Sequence, residues 1–135
     1  MHEQVTGAKL PPVGALAYLG DGVHSLYIRK MLVKSGISRP GDLSRTALAY
    51  ITAERQADAF RRIENHLLPD ELDVARRAQN NTHLNKPKHA THSDYHAATA
   101  LEAVLGMLSL LGDDERIDLL MKLAYDKETK DDTEN

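Results

Sequence analysis

Across residues 12–35 the chain places Leu16, Leu19, Val23 and Leu26 three or four residues apart, the spacing of a single helix face. Nowhere do apolar and polar residues alternate between hairpin turns, so the chain is committed to helices. Ala17, Tyr18 and Ile28 spread apolar character around most of the first segment, as in a central helix or one at a subunit interface, and Gly36 follows as a stop able to go left-handed. Arg39-Pro40-Gly41-Asp42 reads as a turn with Asp42 as N-cap of a helix over 43–64, in two pieces near Tyr50. Pro69, Asp70 and Glu71 open a helix to about Ala78, and residues 80–91 form a loop. Ser93 or Asp94 then caps a helix that ends at Gly112, and Asp113 caps a last one over 115–127 with Ile117, Leu120, Met121 and Ala124 inward. The expected fold is all-α, a bundle of five to seven helices.

A chain of 135 residues supports one domain with a core of its own. We place it at residues 12–127, between an N-terminal arm over 1–11 and a charged tail over 128–135. Without cysteine there is no disulfide framework and no thiolate metal site. No apolar run approaches the roughly 20 residues of a membrane span, and the first residues show no export signal, so cytoplasm is the expected compartment. A net charge of -3 argues against binding nucleic acid by bulk charge. Local charge is another matter. Residues 76–93 hold Arg76, Arg77, Lys86, Lys88 and three histidines with no acid among them.

Two acids lie in unusual company. Asp21 sits between Gly20 and Gly22 inside the first long helix, where each glycine costs about 1 kcal/mol relative to alanine. On a helical wheel it lies opposite Leu16, Leu19 and Val23, beside Ala17, His24 and Ser25. Glu102 interrupts an otherwise apolar helix and shares a face with Tyr95, Thr99 and Gly106. Either acid alone is compatible with a solvent-facing residue and glycines that serve packing. Together, two carboxylates brought close in a dry setting repel unless a cation joins them, and oxygen ligands suit Mg²⁺ or Mn²⁺ rather than zinc.

The segments ALAYLGDGVHSLYIRK (15–30) and ALEAVLGML (100–108) resemble the two signature helices of the ribonuclease III family. The likeness covers about residues 10–125 and is greatest to the family's short members, the Mini-ribonuclease III group, which lack a separate double-stranded-RNA-binding domain. It implies a dimeric all-α endonuclease domain that cuts each strand of duplex RNA, leaving 5′-phosphate and 3′-hydroxyl ends with a short 3′ overhang. It further implies Asp21 and Glu102 as catalytic metal ligands, Mg²⁺ as cofactor, and 23S ribosomal RNA precursor as substrate. Arg77, Asn80 and Lys88 match polar positions of the short form, and with Arg76 and Lys86 they are the expected RNA-binding residues. Two further acids usual in the family are replaced by Ala17 and Thr99, and Gln79 stands where arginine is expected.

His92 and His96 have the i, i+4 spacing of a zinc pair, but no cysteine or acid completes a tetrahedral set. The histidines of this region fit phosphate contact or solvent, and His24 has no assigned role. Two rival functions remain. A non-catalytic RNA-binding or dimerisation module would account for the missing acids, whereas an HD-type phosphohydrolase needs a His-Asp dipeptide that the sequence lacks. The apolar surplus of the first helix predicts a homodimer.

Overall fold

The computed structural model describes residues 10–81 and 91–126. The N-terminal arm through residue 9, the tail, and residues 82–90 with Lys86 and Lys88 lie outside them. Among the described residues there are six α-helices and no strand: α1 (Val13–Lys34), α2 (Pro40–Ile51), α3 (Ala53–Ile63), α4 (Pro69–Gln79), α5 (His92–Leu110) and α6 (Asp114–Met121). A 3₁₀ turn follows α3 and a π turn over Lys122–Asp126 follows α6.

The helix of highest burial is α5. From Ala97 to Leu108 every residue except Glu102 is buried, because α1, α3 and α4 pack around it. Each contributes an apolar strip, Leu16, Ile28 and Leu32 from α1, Phe60 and Ile63 from α3, and Val74, Ala75 and Ala78 from α4, and α6 adds Ile117 and Leu120. Full burial stabilises by about 1.5–3 kcal/mol for each of the larger side chains among them.

Of the two roles open to the first helix, the central one passes to α5, and the buried face of α1 also differs from expectation. Leu16, Ala17, Gly20, His24, Ile28 and Leu32 face inward, while Leu19 and Val23 are half-buried and Leu26 is exposed. Small residues decide this. Ala17 and Gly20 let α1 come close to α5, and close approach of backbones outweighs the larger apolar surface of the other strip.

Two caps also differ. α2 starts at Pro40, so Asp42 falls in its first turn rather than at the cap, where it pairs with Arg45. α5 is capped by Thr91, whose hydroxyl accepts from the Asp94 amide (3.0 Å), rather than by Ser93 or Asp94. The remaining signals act as read. α2 and α3 divide at Thr52, Gly36 and Gly112 have φ of 103° and 72°, and Asp113 accepts from the Arg116 amide (3.2 Å). Helix α6, however, ends in the π turn, which brings Tyr125 back onto the core with Ala124.

Candidate active site

The crossing of α1 and α5 is built on two glycines. A Cβ on Gly20 would overlap the Glu102 carbonyl oxygen, and one on Gly106 would overlap the Leu16 carbonyl oxygen. Only hydrogen at both positions allows the helix backbones to touch. The loss of helix propensity at Gly20 thus has a structural cause. Gly22 has none of this, since nothing lies within 4 Å of its would-be Cβ.

That contact sets the position of the two acids. Asp21, next to Gly20, is exposed, and Glu102, whose own backbone meets Gly20, is half-buried. Their carboxyl groups lie close enough to interact. The Glu102 carboxyl is pushed up to about 8, by loss of solvent first, then by the Asp21 charge and a hydrogen bond that the protonated acid donates to Asp21. At neutral pH the pair therefore carries less than its formal charge.

The residues in place of the two further acids supply no carboxylate. Ala17 is buried in the core, and the Thr99 hydroxyl donates to the Tyr95 carbonyl oxygen (2.8 Å). Among the described residues no group of three or more acids, histidines or cysteines is placed to hold a metal. Two carboxylates remain. That donor set suits Mg²⁺, which keeps several waters and is commonly held by one or two carboxylates together with substrate phosphates.

His24 points away from this pair, into the interior. Its Nε2 lies 2.7 Å from the Tyr125 hydroxyl, and the Gln56 amide lies 3.5 Å from Nδ1. Burial lowers its pKa to about 4 against the smaller opposing pull of Asp21, so it is neutral at pH 7. Sequence spacing gave no sign of this link, because Tyr125 is 101 residues away and depends on the π turn.

Arg76, Arg77 and Asn80 occupy the exposed C-terminal end of α4, with Asn80 as its C-cap. Arg77 pairs with Asp73 one turn earlier (3.1 Å). Helix α4 carries these groups to the start of the segment that contains Lys86 and Lys88.

Residues 14–113, which include both crossing helices, match the Ribonuclease III domain. The chain belongs to the ribonuclease III family. The Mini-ribonuclease 3 of Symbiobacterium thermophilum is 38% identical over 117 residues, covering 87% of this chain and 89% of that protein. That of Clostridium tetani is 32% identical over 124 residues, with coverages of 89% and 82%. A crystal structure of a Fusobacterium nucleatum protein superposes with a TM-score of 0.76 at 31% identity, covering 86% of this chain and 93% of that one. These relatives place the chain in the Mini-ribonuclease 3 branch, and membership of the ribonuclease III family supports an RNA endonuclease activity.

Proposed function

We propose that the chain is a Mg²⁺-dependent endoribonuclease that hydrolyses phosphodiesters of double-stranded RNA as a homodimer, with 23S ribosomal RNA precursor as biological substrate and Mn²⁺ as a substitute ion. The observation that carries this reading is the pairing of Asp21 with Glu102 at a glycine-lined helix crossing, where burial and the Asp21 charge raise the Glu102 carboxyl to about 8.

Asp21 and Glu102 would hold the ion. When bound, it supplies Lewis acidity that offsets charge building on the scissile phosphate and lowers the pKa of water. Glu102 gives up its proton on forming the site, so ion affinity rises with pH toward 8. Arg76, Arg77 and Asn80, with Lys86 and Lys88, would hold backbone phosphates and the 2′-hydroxyls of the wide minor groove, a contact that reads shape more than sequence.

The dimer reading rests on α1 and α2. Tyr18, Leu26 and Val33 of α1 and Leu48 and Ile51 of α2 are large apolar side chains left exposed, Tyr18 to 85%. Between the two helices runs a groove of about 470 Å³ lined by Ile28, Leu32, Leu43 and Ala47. Sedimentation is expected to show a dimer at micromolar concentration, and monomer alone would count against it.

The test of function is incubation with a long RNA duplex, with and without Mg²⁺, and sizing of the products. Cutting of duplex but not of single strand, only with the ion, is the expected result. One observation favours a non-catalytic RNA-binding or dimerisation module, namely the non-acidic residues at Ala17 and Thr99. Duplex binding without any cleavage would select that reading.

A further inference from the structure

Tyr95 stands seven residues before Glu102 on α5, two turns or about 10 Å along the axis, on the strip that also holds Thr99 and Gly106. Most of that strip is already occupied. Gly106 is covered by α1, and the Thr99 hydroxyl donates to the Tyr95 carbonyl oxygen. The groups that still reach solvent along it are the half-buried Tyr95 and the half-buried Glu102. The two are electrostatically coupled. Burial raises the Tyr95 phenol, and the Glu102 charge adds to the rise.

The Tyr95 ring has its own support. His96 lies against it edge-on at 5.7 Å between centroids, and His92 stacks on His96 at 6.2 Å with planes 19° apart. The Nδ1 of His96 is shut off from solvent and has no hydrogen-bond partner among the described residues.

We infer that Tyr95 is a further substrate-contacting residue of the endonuclease proposed above: its hydroxyl donates a hydrogen bond to a phosphate oxygen of the strand cut at Asp21 and Glu102, and His96 is a positioning residue that fixes its ring. The inference rests on the endonuclease reading. A phosphate that approaches two acids meets repulsion, and a neutral hydroxyl donor beside them attracts it without adding a charge that would compete for the ion. The phenol supplies that donor on a ring with few rotatable bonds.

The test is a cycle of Tyr95→Phe against duplexes carrying one methylphosphonate linkage, moved stepwise along the strand. On the unmodified duplex the variant is expected to lose about ten- to a hundredfold in kcat/KM, the range for a hydrogen bond to a charged group. At one linkage that loss should vanish, because the contacted oxygen is already altered. Melting temperature and the Mg²⁺ midpoint should match wild type. His96→Leu should lose less and add nothing in the Tyr95→Phe background. Wild-type cleavage by Tyr95→Phe, or a loss equal at every linkage, would overturn the inference. If wild type cuts no duplex at all, the endonuclease reading fails, and the same cycle read as duplex affinity still decides whether Tyr95 touches the strand.

Discussion

Glu71 and Glu102 are both withdrawn from solvent, and they are treated in opposite ways. Glu71, in the first turn of α4, is fully buried and fully partnered: Arg116 donates from Nε and Nη2 at 2.8 Å each, and the Leu68 amide donates at 2.8 Å. Glu102 faces Asp21, another acid, and keeps a proton instead. The first arrangement satisfies a buried charge and ties α4 to α6. The second leaves charge unsatisfied until a cation arrives, which is the expected signature of a site rather than of a scaffold.

The largest effects should follow from exchanging each acid for its amide. In Glu102→Gln, cleavage is expected to fall by at least about a hundredfold, since even groups that only support a ligand are worth 10–100-fold. Folding and duplex binding should persist, because the phosphate contacts are assigned to α4 and the segment after it. Glu71→Gln should do the reverse. It leaves Arg116 facing a neutral amide and should destabilise by about 3 kcal/mol, while cleavage by the folded fraction stays normal. Melting, duplex binding and cleavage measured on one preparation of each variant would check both. A folded Glu102→Gln enzyme that cuts at near the wild-type rate would remove Glu102 from the site.

A smaller contrast separates the two glycines beside Asp21. Gly20→Ala drives a methyl group into the Glu102 backbone, so the helices must part, and the cost should reach about 1–3 kcal/mol or more. Gly22→Ala meets open space and should stabilise by about 0.5–1 kcal/mol through helix propensity. Thermal melts of the two variants should therefore shift in opposite directions. If Gly22→Ala folds well yet cuts poorly, then the open space at Gly22 serves substrate approach rather than packing.

The all-α class, the break between α2 and α3, the left-handed glycines and the Asp21–Glu102 pair are readable from residue pattern, because each depends on local spacing or on a motif. The inward face of α1 is not. Counting apolar residues selects Leu19, Val23 and Leu26, whereas contact with α5 selects the strip through Ala17, Gly20 and His24. Side-chain size had to be weighed against backbone approach, and that depends on the partner helix. The Glu71–Arg116 pair and the His24–Tyr125 contact join residues 45 and 101 positions apart, beyond what periodicity can register.

The effect most specific to the proton on Glu102 is the pH dependence of stability without metal. Glu102 has a folded pKa of about 8 against an ordinary 4.5, so the folded state holds a proton that the unfolded chain has lost. Its contribution is fully present below about 4.5 and is lost as pH rises through about 8. His24 has a folded pKa of about 4 against an ordinary 6.5, so its contribution is present above 6.5 and is lost as pH falls through about 4. Between 4.5 and 6.5 the two slopes oppose each other. The metal-free melting temperature should accordingly hold nearly level there and decline on both sides. Glu102→Gln should abolish the decline between 6.5 and 8 and, with nothing left to oppose His24, extend the acid limb up to about 6.5. Saturating Mg²⁺ should raise the wild-type melting temperature more at pH 8 than at pH 6, because the ion displaces a proton at the lower pH. Equal Mg²⁺ shifts at the two pH values would mean that Glu102 is not a ligand, and that its proton is held by burial for a structural reason alone.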